Sequence, residues 1–271
     1  MNRGVVIAVA VLLAGAAAVI GWRESHRPPV AAPPAAAPVP PAPTVAPMPD
    51  AAPPSVHHPV PDGDRQTLPP LDDSDGYVKK ALVELLGHKA VASFLRLEGA
   101  VRRFVATVNN LASDQASAGL WPVNPTPGAF ETEARDGALF ISSRNADRYV
   151  PFVRFADGVD SRRAVALYFR LYPLLQRAYE DLGFPGKYLN DRVVEVIDNL
   201  LATPKVTGPI RVKRVGADAG SAGGLYLYDD PALESATAGQ KILLRIGTDN
   251  AAKLTAKLTE LRAAIASGPR R

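Results

Sequence analysis

Cysteine is missing from all 271 residues of this chain, and histidine is scarce, with four residues. The lack of cysteine excludes disulfide bonds, thiolate metal sites and cysteine nucleophiles. Only His88 lies beyond residue 70, and no catalytic motif surrounds it. The chain also lacks a phosphate-binding P-loop and the glycine fingerprint of dinucleotide-binding folds. We therefore expect no metal, nucleotide or other cofactor, and an enzyme would have to use carboxylates, tyrosines or arginines alone.

A strong charge of one sign is also lacking. The formal net charge is +4, and the whole surplus arises after residue 70, because acidic and basic residues balance before it. Nucleic-acid-binding domains usually carry a concentrated basic stripe. The basic residues here form only short clusters, such as Arg211, Lys213 and Arg214. We therefore expect no nucleic-acid partner.

One long apolar run is present, at residues 4–22, and it contains no charged side chain. As a helix it would extend for about 28 Å, which is enough to cross the hydrocarbon core of a bilayer. The flanking charges do not fix its orientation. We expect residues 1–27 to form an uncleaved signal anchor of the bacterial inner membrane, with a single pass and the rest of the chain in the periplasm. Cleavage after Ala16 to Ala18 is the alternative.

Residues 28–70 form a second region, which holds 16 of the 26 prolines. Proline removes a backbone donor and fixes φ, so this composition favours extended, polyproline-like conformations over a core. We expect a disordered Pro/Ala-rich linker that holds the following domain away from the membrane. His57 and His58 lie in this linker, and a lone pair of histidines there is a weak metal signal.

Residues 71–271 predict a single α+β domain that is mostly α-helical, with small antiparallel β-hairpins. Amphipathic spacing indicates helices that end at Gly87, run from about Lys89 to Ala112 and from Ser161 to Leu182, and begin near Asn190, which can cap its helix. Thr237 and Gln240 have the spacing of a capping box. A closing helix carries the apolar stripe Leu254, Leu258, Leu261 and Ile265. The Asp136-Gly137 pair predicts one hairpin, and alternating residues around 210–215 and 225–228 predict another. A loop is expected to end at Asp160, which is followed by a helix that it can cap.

The helix from Ser161 to Leu182 carries the candidate binding residues. Tyr168, Tyr172 and Tyr179 lie beside its apolar face, and Arg170 and Arg177 belong to a separate ridge of arginines. The next helix exposes an acidic stripe. The members of that stripe are Asp191, Glu195 and Asp198. Two interpretations stay open: the arginines pair with the acidic stripe while the tyrosines pack between the helices, or these side chains form a binding surface. Paired carboxylates for acid–base catalysis are a third, weaker interpretation.

The run from Tyr168 to Pro204, YFRLYPLLQRAYEDLGFPGKYLNDRVVEVIDNLLATP, resembles the signature block of a bacterial family known as domain of unknown function three-zero-one-four. The stretches LPPLDDSD and QKILLRIGTDNAAKLTAKLTELR are similar as well, so the resemblance covers Leu68 to Arg262. It implies an N-terminal membrane anchor and a proline-rich spacer. It brings no known catalytic residue.

These features together favour a membrane-anchored, envelope-facing interaction or scaffold domain. Its expected partner is an envelope protein or a cell-wall component, and its contact with the membrane is through residues 4–22. The alternative is a carboxylate-dependent hydrolase of the cell envelope. A buried Asp/Glu pair in a deep groove would favour the hydrolase, whereas an exposed patch of arginine and aromatic side chains without a groove would favour the interaction domain.

Overall fold

The computed structural model describes residues 56–61, 67–215 and 225–267. The predicted membrane span and most of the linker lie outside these residues. Within them, no helix combines the length and the apolar character that crossing a bilayer requires. Nine α-helices and four β-strands are described, together with two 3-10 turns at Leu71–Asp73 and Ala118–Leu120. The helices are α1 Asp75–Leu86, α2 His88–Phe94, α3 Ala100–Leu111, α4 Arg144–Asp157, α5 Ser161–Asp181, α6 Leu189–Leu201, α7 Pro231–Glu234, α8 Ala238–Arg245 and α9 Thr248–Ser267. The strands are β1 Thr132–Arg135, β2 Ala138–Ile141, β3 Arg211–Val215 and β4 Leu225–Tyr228.

Helix α5 is the centre of the core, and it contacts α3, α6 and α9. Its apolar positions recur at three- and four-residue steps, and Leu167, Leu171 and Leu175 are almost fully buried. Asp160 caps the helix by accepting hydrogen bonds from the backbone N–H groups of Arg162 and Arg163. The α+β class, the mostly helical character and this cap are therefore confirmed.

The four strands form one antiparallel sheet in the order β1-β2-β3-β4, not two separate hairpins. Asp136 and Gly137 turn the first hairpin with positive φ angles of 49° and 75°. Type I′ turns require this geometry at both central positions, which explains the Asp-Gly pair. The two hairpins join because β2 pairs with β3 at Leu139 and Phe140. The sequence predicted both hairpins but not this pairing between them.

Two predicted segments need correction. The helix expected from about Lys89 to Ala112 is broken at residues 95–99, where Gly99 has a left-handed φ of 60° and Asp75 accepts hydrogen bonds from the N–H groups of Gly99 and Ala100. The loop expected to end at Asp160 is largely α4. Pro151 lies inside α4 and removes a single backbone hydrogen bond, a loss that burial of Phe152 and neighbouring side chains offsets.

Gly239, at the start of α8, lies where another chain segment passes closely. A β-carbon there would lie 3.0 Å from the carbonyl oxygen of Leu111 and would also collide with the side chain of Leu200. We expect Gly239→Ala to lower the free energy of unfolding by at least about 1 kcal/mol, because overpacking forces neighbours to move. Urea unfolding measures this change.

The matched control is Gly76→Ala in α1, where a β-carbon meets nothing within 4 Å. That substitution should leave stability unchanged or raise it by up to about 1 kcal/mol, since alanine favours the helix over glycine. Equal losses at the two positions would contradict the close approach at Gly239.

Candidate functional site

Residues of the expected linker contact the folded domain. Residues 56–61, which we call the docked segment, lie against the N-terminus of α6. They contain no helix or strand and bend at His57 and His58. Val60 and Leu68 are partly buried and pack against the core. The packed unit therefore begins earlier than the boundary expected at Leu71.

Four hydrogen bonds join the docked segment to α6 and its N-cap residue, and they use only backbone atoms of the segment. The N–H groups of His57 and His58 donate to the two carboxylate oxygens of Asp191, at 3.1 and 2.7 Å. The N–H of Val60 donates to the hydroxyl of Tyr188 at 2.7 Å. In the other direction, the side-chain amide of Asn190 donates to the carbonyl of His58 at 2.8 Å. This part of the domain therefore binds the docked segment through the backbone of the segment.

A buried polar network holds these side chains in place. The hydroxyl of Tyr168 donates to the amide oxygen of Asn190 at 2.9 Å, and both residues are fully buried. Tyr172 accepts a hydrogen bond from the N–H of Asn190 and donates to Gln176, which also accepts from the N–H of Leu189. Side chains of α5 thus satisfy the first N–H groups of α6. Asn190 was expected to cap this helix, but it lies inside the helix and bridges the core to the docked segment.

The three candidate tyrosines of α5 are all buried. Desolvation raises the pKa of Tyr168 well above its ordinary value and raises the pKa of Tyr172 and Tyr179 as well. Their hydroxyls therefore keep their protons at neutral pH, and those of Tyr168 and Tyr172 serve as fixed hydrogen-bonding groups. Tyr179 stacks on Phe184 at a centroid distance of 4.7 Å, at the wall of the groove described next.

A groove of about 1100 Å³ runs beside the docked segment, and we call it the docking groove. Asn109 of α3, Tyr179 of α5 and Glu195 of α6 line it, together with Phe184 and Lys187 from the turn between α5 and α6. The docked segment contributes Val56, His57 and His58 to its wall. The groove thus has an aromatic wall, a rim with charges of both signs, and a bound stretch of polypeptide along one side.

Each carboxylate of the acidic stripe has its own partner. Asp191 accepts the two backbone N–H groups, Arg192 pairs with Glu195 at 2.7 Å, and Arg262 of α9 pairs with Asp198. Of the stripe's members, only Asp191 contacts the docked segment through these bonds. The three carboxylates therefore do not form a shared acid–base pair.

The candidate arginines of α5 have different neighbours from those expected. Arg177 pairs with Asp181 of its own helix at 3.2 Å. The guanidinium of Arg170 lies 5.9 Å from the ring centre of Tyr77 in α1. In the structure these two arginines do not pair with the acidic stripe. The three tyrosines are packed, as the first interpretation expected.

Arg262 controls the protonation of Asp198. Its side-chain hydrogen bonds hold the pKa of Asp198 below the ordinary value for an aspartate, and its charge acts in the same direction. Because the pKa is lowered on folding, the pair stabilises the fold above the unfolded-state pKa, and this stabilisation is lost as the pH falls through the lowered pKa. We expect Arg262→Ala to raise the pKa of Asp198, as measured by NMR titration of its carboxyl carbon. An unchanged pKa would contradict this assignment.

Sequence reasoning missed Tyr188, Gln176 and the docked segment itself. The segment is recognised through its backbone, so its side chains carry no pattern that predicts contact. The one available signal was Asn190 followed by Asp191 at the start of a helix, where free N–H groups attract polar side chains. That signal was interpreted as a cap.

A family model described as protein of unknown function (DUF3014) matches residues 100–262, which is more than half of the chain. The match includes the whole block from Tyr168 to Pro204 and ends at Arg262, as the resemblance in the sequence does. It begins later than that resemblance, because the stretch LPPLDDSD precedes it. No curated protein and no solved structure matches the chain.

Proposed function

This chain belongs to the DUF3014 family, and we propose that it is a membrane-anchored, envelope-facing interaction domain whose partner binds in the docking groove. The observation that carries this proposal is the docked segment. Asp191, Asn190 and Tyr188 already hold a piece of polypeptide by its backbone. A groove that binds one irregular segment through backbone atoms has the chemistry to bind another.

The anchored, periplasmic placement is supported by the sequence alone. Residues 4–22 are uncharged and long enough to span a bilayer. A proline-rich stretch of about 30 residues then separates this span from the docked segment, and such a stretch acts as a semi-rigid spacer. The domain would in this way reach partners at a distance from the membrane.

Topology is tested with a reporter fused after Arg271. We expect a reporter that works only in the cytoplasm to stay silent, and one that works only in the periplasm to be active. Strong cytoplasmic activity would contradict the envelope-facing placement. A released, soluble fusion protein would instead identify the span as a cleaved signal peptide.

The hydrolase alternative receives less support from the groove. A general acid must keep its proton near neutral pH, which requires a raised pKa. Arg262 lowers the pKa of Asp198. Asp191 is occupied by two N–H groups, and Glu195 is paired with Arg192. These carboxylates bind and orient neighbouring groups rather than standing ready for proton transfer.

The interaction surface is tested in cells by replacing one exposed residue at a time with a photo-crosslinking amino acid in the full chain. Lys187 lies at the rim of the docking groove, whereas Lys213 is exposed on β3 and does not line it. We expect crosslinked adducts from position 187 and few or none from position 213. Equal yields at both positions, or no adduct at position 187, would contradict the proposed surface.

A further inference from the structure

We infer that the N-terminus of α6, which borders the docking groove, is a reader of peptide backbone, that residues 56–61 are its resident occupant, and that its partner is a protein segment of the same form. That form has backbone N–H groups at three positions, a proline between the second and third, and an apolar residue directly after the proline. This inference rests on the proposed function, because it specifies the chemistry of the partner that binds in the groove.

The spacing of the bonded N–H groups determines at which positions a partner segment can carry proline. His57, His58 and Val60 each donate a backbone hydrogen bond to the domain. Proline has no N–H, so it is excluded at these three positions. Position 59 donates none of these bonds, and the chain places Pro59 there. A partner segment therefore tolerates proline at this position alone among the four.

Proline at position 59 also lowers the cost of binding. It fixes its own φ and restricts the residue before it to extended conformations. A segment with this proline has fewer conformations to lose when it binds, which improves affinity without a new contact. This reason favours a partner that carries proline rather than one that merely tolerates it.

Side-chain selectivity is concentrated at position 60. Val60 is half-buried and packs against the core, whereas Val56, His57 and Pro59 are exposed. An apolar side chain at this position removes apolar surface from water, and a charged one would lose its hydration. His58 is half-buried as well, and it is bonded to the domain through its N–H and its carbonyl.

The groove's bonding groups are held by the domain itself. The side chain of Asn190 accepts a hydrogen bond from Tyr168, and its backbone N–H donates to the hydroxyl of Tyr172. Tyr188 packs against Tyr172 at a ring distance of 5.4 Å. Asp191 lies in the first turn of α6, where the helix dipole stabilises a carboxylate. These groups do not depend on the docked segment for their positions, so the site persists when the segment leaves.

The docked segment competes with any partner for this site. It belongs to the same chain as the groove, so its effective concentration is high and a partner must displace it. A partner can displace the docked segment because the groove extends past it to Tyr179, Phe184 and Lys187. A longer partner segment reaches these side chains, while residues 56–61 of a second copy would bring only the contacts already made. We therefore assign the groove to a heterologous protein segment.

The test uses full-length chain in detergent micelles and a labelled peptide with the sequence of residues 55–62, SVHHPVPD. An opened variant carries His58→Pro and Val60→Pro, which remove two of the bonded N–H groups and free the groove. We expect the peptide to bind this variant at least about tenfold more tightly than the unmodified chain, as fluorescence anisotropy would show. Adding Asp191→Ala to the opened variant should reduce that binding by about tenfold or more.

Peptide variants provide the matched controls. Proline in place of His58 should abolish binding to the opened variant, aspartate in place of Val60 should weaken it strongly, and alanine in place of the exposed Val56 should change it little. If the opened variant binds no more tightly than the unmodified chain, or if the peptide with proline at position 58 binds as well as the original, the inference is wrong. Val60 packs against the core, so the single substitution His58→Pro, which keeps that contact, provides a milder opening should the double variant unfold.

Two further readouts separate this inference from the proposed function. Adducts at position 187 in cells, combined with no peptide binding, would support the proposed interaction surface. They would contradict the inference that the site reads peptide backbone. Self-association of the unmodified chain that the peptide reverses and the opened variant lacks, measured by light scattering, would identify a second copy as the occupant and overturn the assignment to a heterologous segment. Monomeric behaviour with peptide binding is the expected result.

Discussion

Replacing Leu171 with alanine should lower the free energy of unfolding by about 2–5 kcal/mol, as truncations of buried leucines do. Leu171 is 1% exposed, and it lies in the middle of α5, the helix that α3, α6 and α9 surround. These three helices leave little room for the structure to collapse into the cavity, and this places the expected loss in the upper half of that range. Urea unfolding at neutral pH measures the change.

Leu182 is the matched control for Leu171. It follows the end of α5 and is 44% exposed. Its truncation to alanine removes the same atoms from a largely hydrated position and should cost less than about 1 kcal/mol. Similar losses at the two positions would contradict the account of α5 as the centre of the core.

Asn190→Ala should lower the free energy of unfolding by about 2–4 kcal/mol, since a buried hydroxyl left without a partner carries a desolvation penalty of its own. Asn190 is fully buried, and its amide oxygen accepts a hydrogen bond from the hydroxyl of Tyr168, which is also fully buried. The same substitution removes the amide that binds the carbonyl of His58. One change therefore weakens both the core and the docked segment.

A double-mutant cycle separates these two effects. Tyr168→Phe removes the hydroxyl that Asn190→Ala would leave unpaired, so the double variant should lose less stability than the sum of the two single variants. Additive losses would show that the bond between Tyr168 and Asn190 contributes nothing of its own. Increased protease cleavage within residues 56–61 should accompany both variants that carry Asn190→Ala.

Local sequence rules predicted the parts of the fold whose causes are local. Asp160 caps α5, Thr237 and Gln240 form the capping box of α8, and the Asp136-Gly137 pair turns the first hairpin. The closing helix α9 buries Leu254, Leu258, Leu261 and Ile265, as its spacing predicted. In each case the residues that specify the structure lie within a few positions of one another.

The missed features have causes that are distant in sequence. Helix α3 begins at Ala100 because Asp75, 25 positions earlier, binds its first N–H groups. Helix α4 tolerates Pro151 because its other face is buried against α9. Tyr149, Phe152, Val153 and Ala156 recur at helical spacing and are buried, although a loop was expected up to Asp160. Periodicity alone does not reveal such compensation.

In the candidate site as well, features with local causes were predictable from the sequence, and features with distant causes were not. The block from Tyr168 to Asp198 contains the groove's main side chains, and its spacing singled out Tyr168, Tyr172 and Asp191. The roles of these residues came from the fold, because the two tyrosines are buried supports and Asp191 binds backbone more than 130 positions away. A segment that is read through its backbone has no side-chain signature, and its proline-rich composition predicted disorder.

The central claim is that Asp191 and its neighbours hold residues 56–61 by their backbone. Amide hydrogen exchange at His57 and His58, in unmodified full-length chain and in Asp191→Ala, tests it most directly, with Glu195→Ala as the matched control. We expect both amides to exchange at least about tenfold faster in Asp191→Ala, because a hydrogen bond to a charged group contributes about 1.5–3 kcal/mol. Exchange in Glu195→Ala should equal that of the unmodified chain. Equally fast exchange at both amides in all three proteins would contradict the docked segment and the groove's proposed role together.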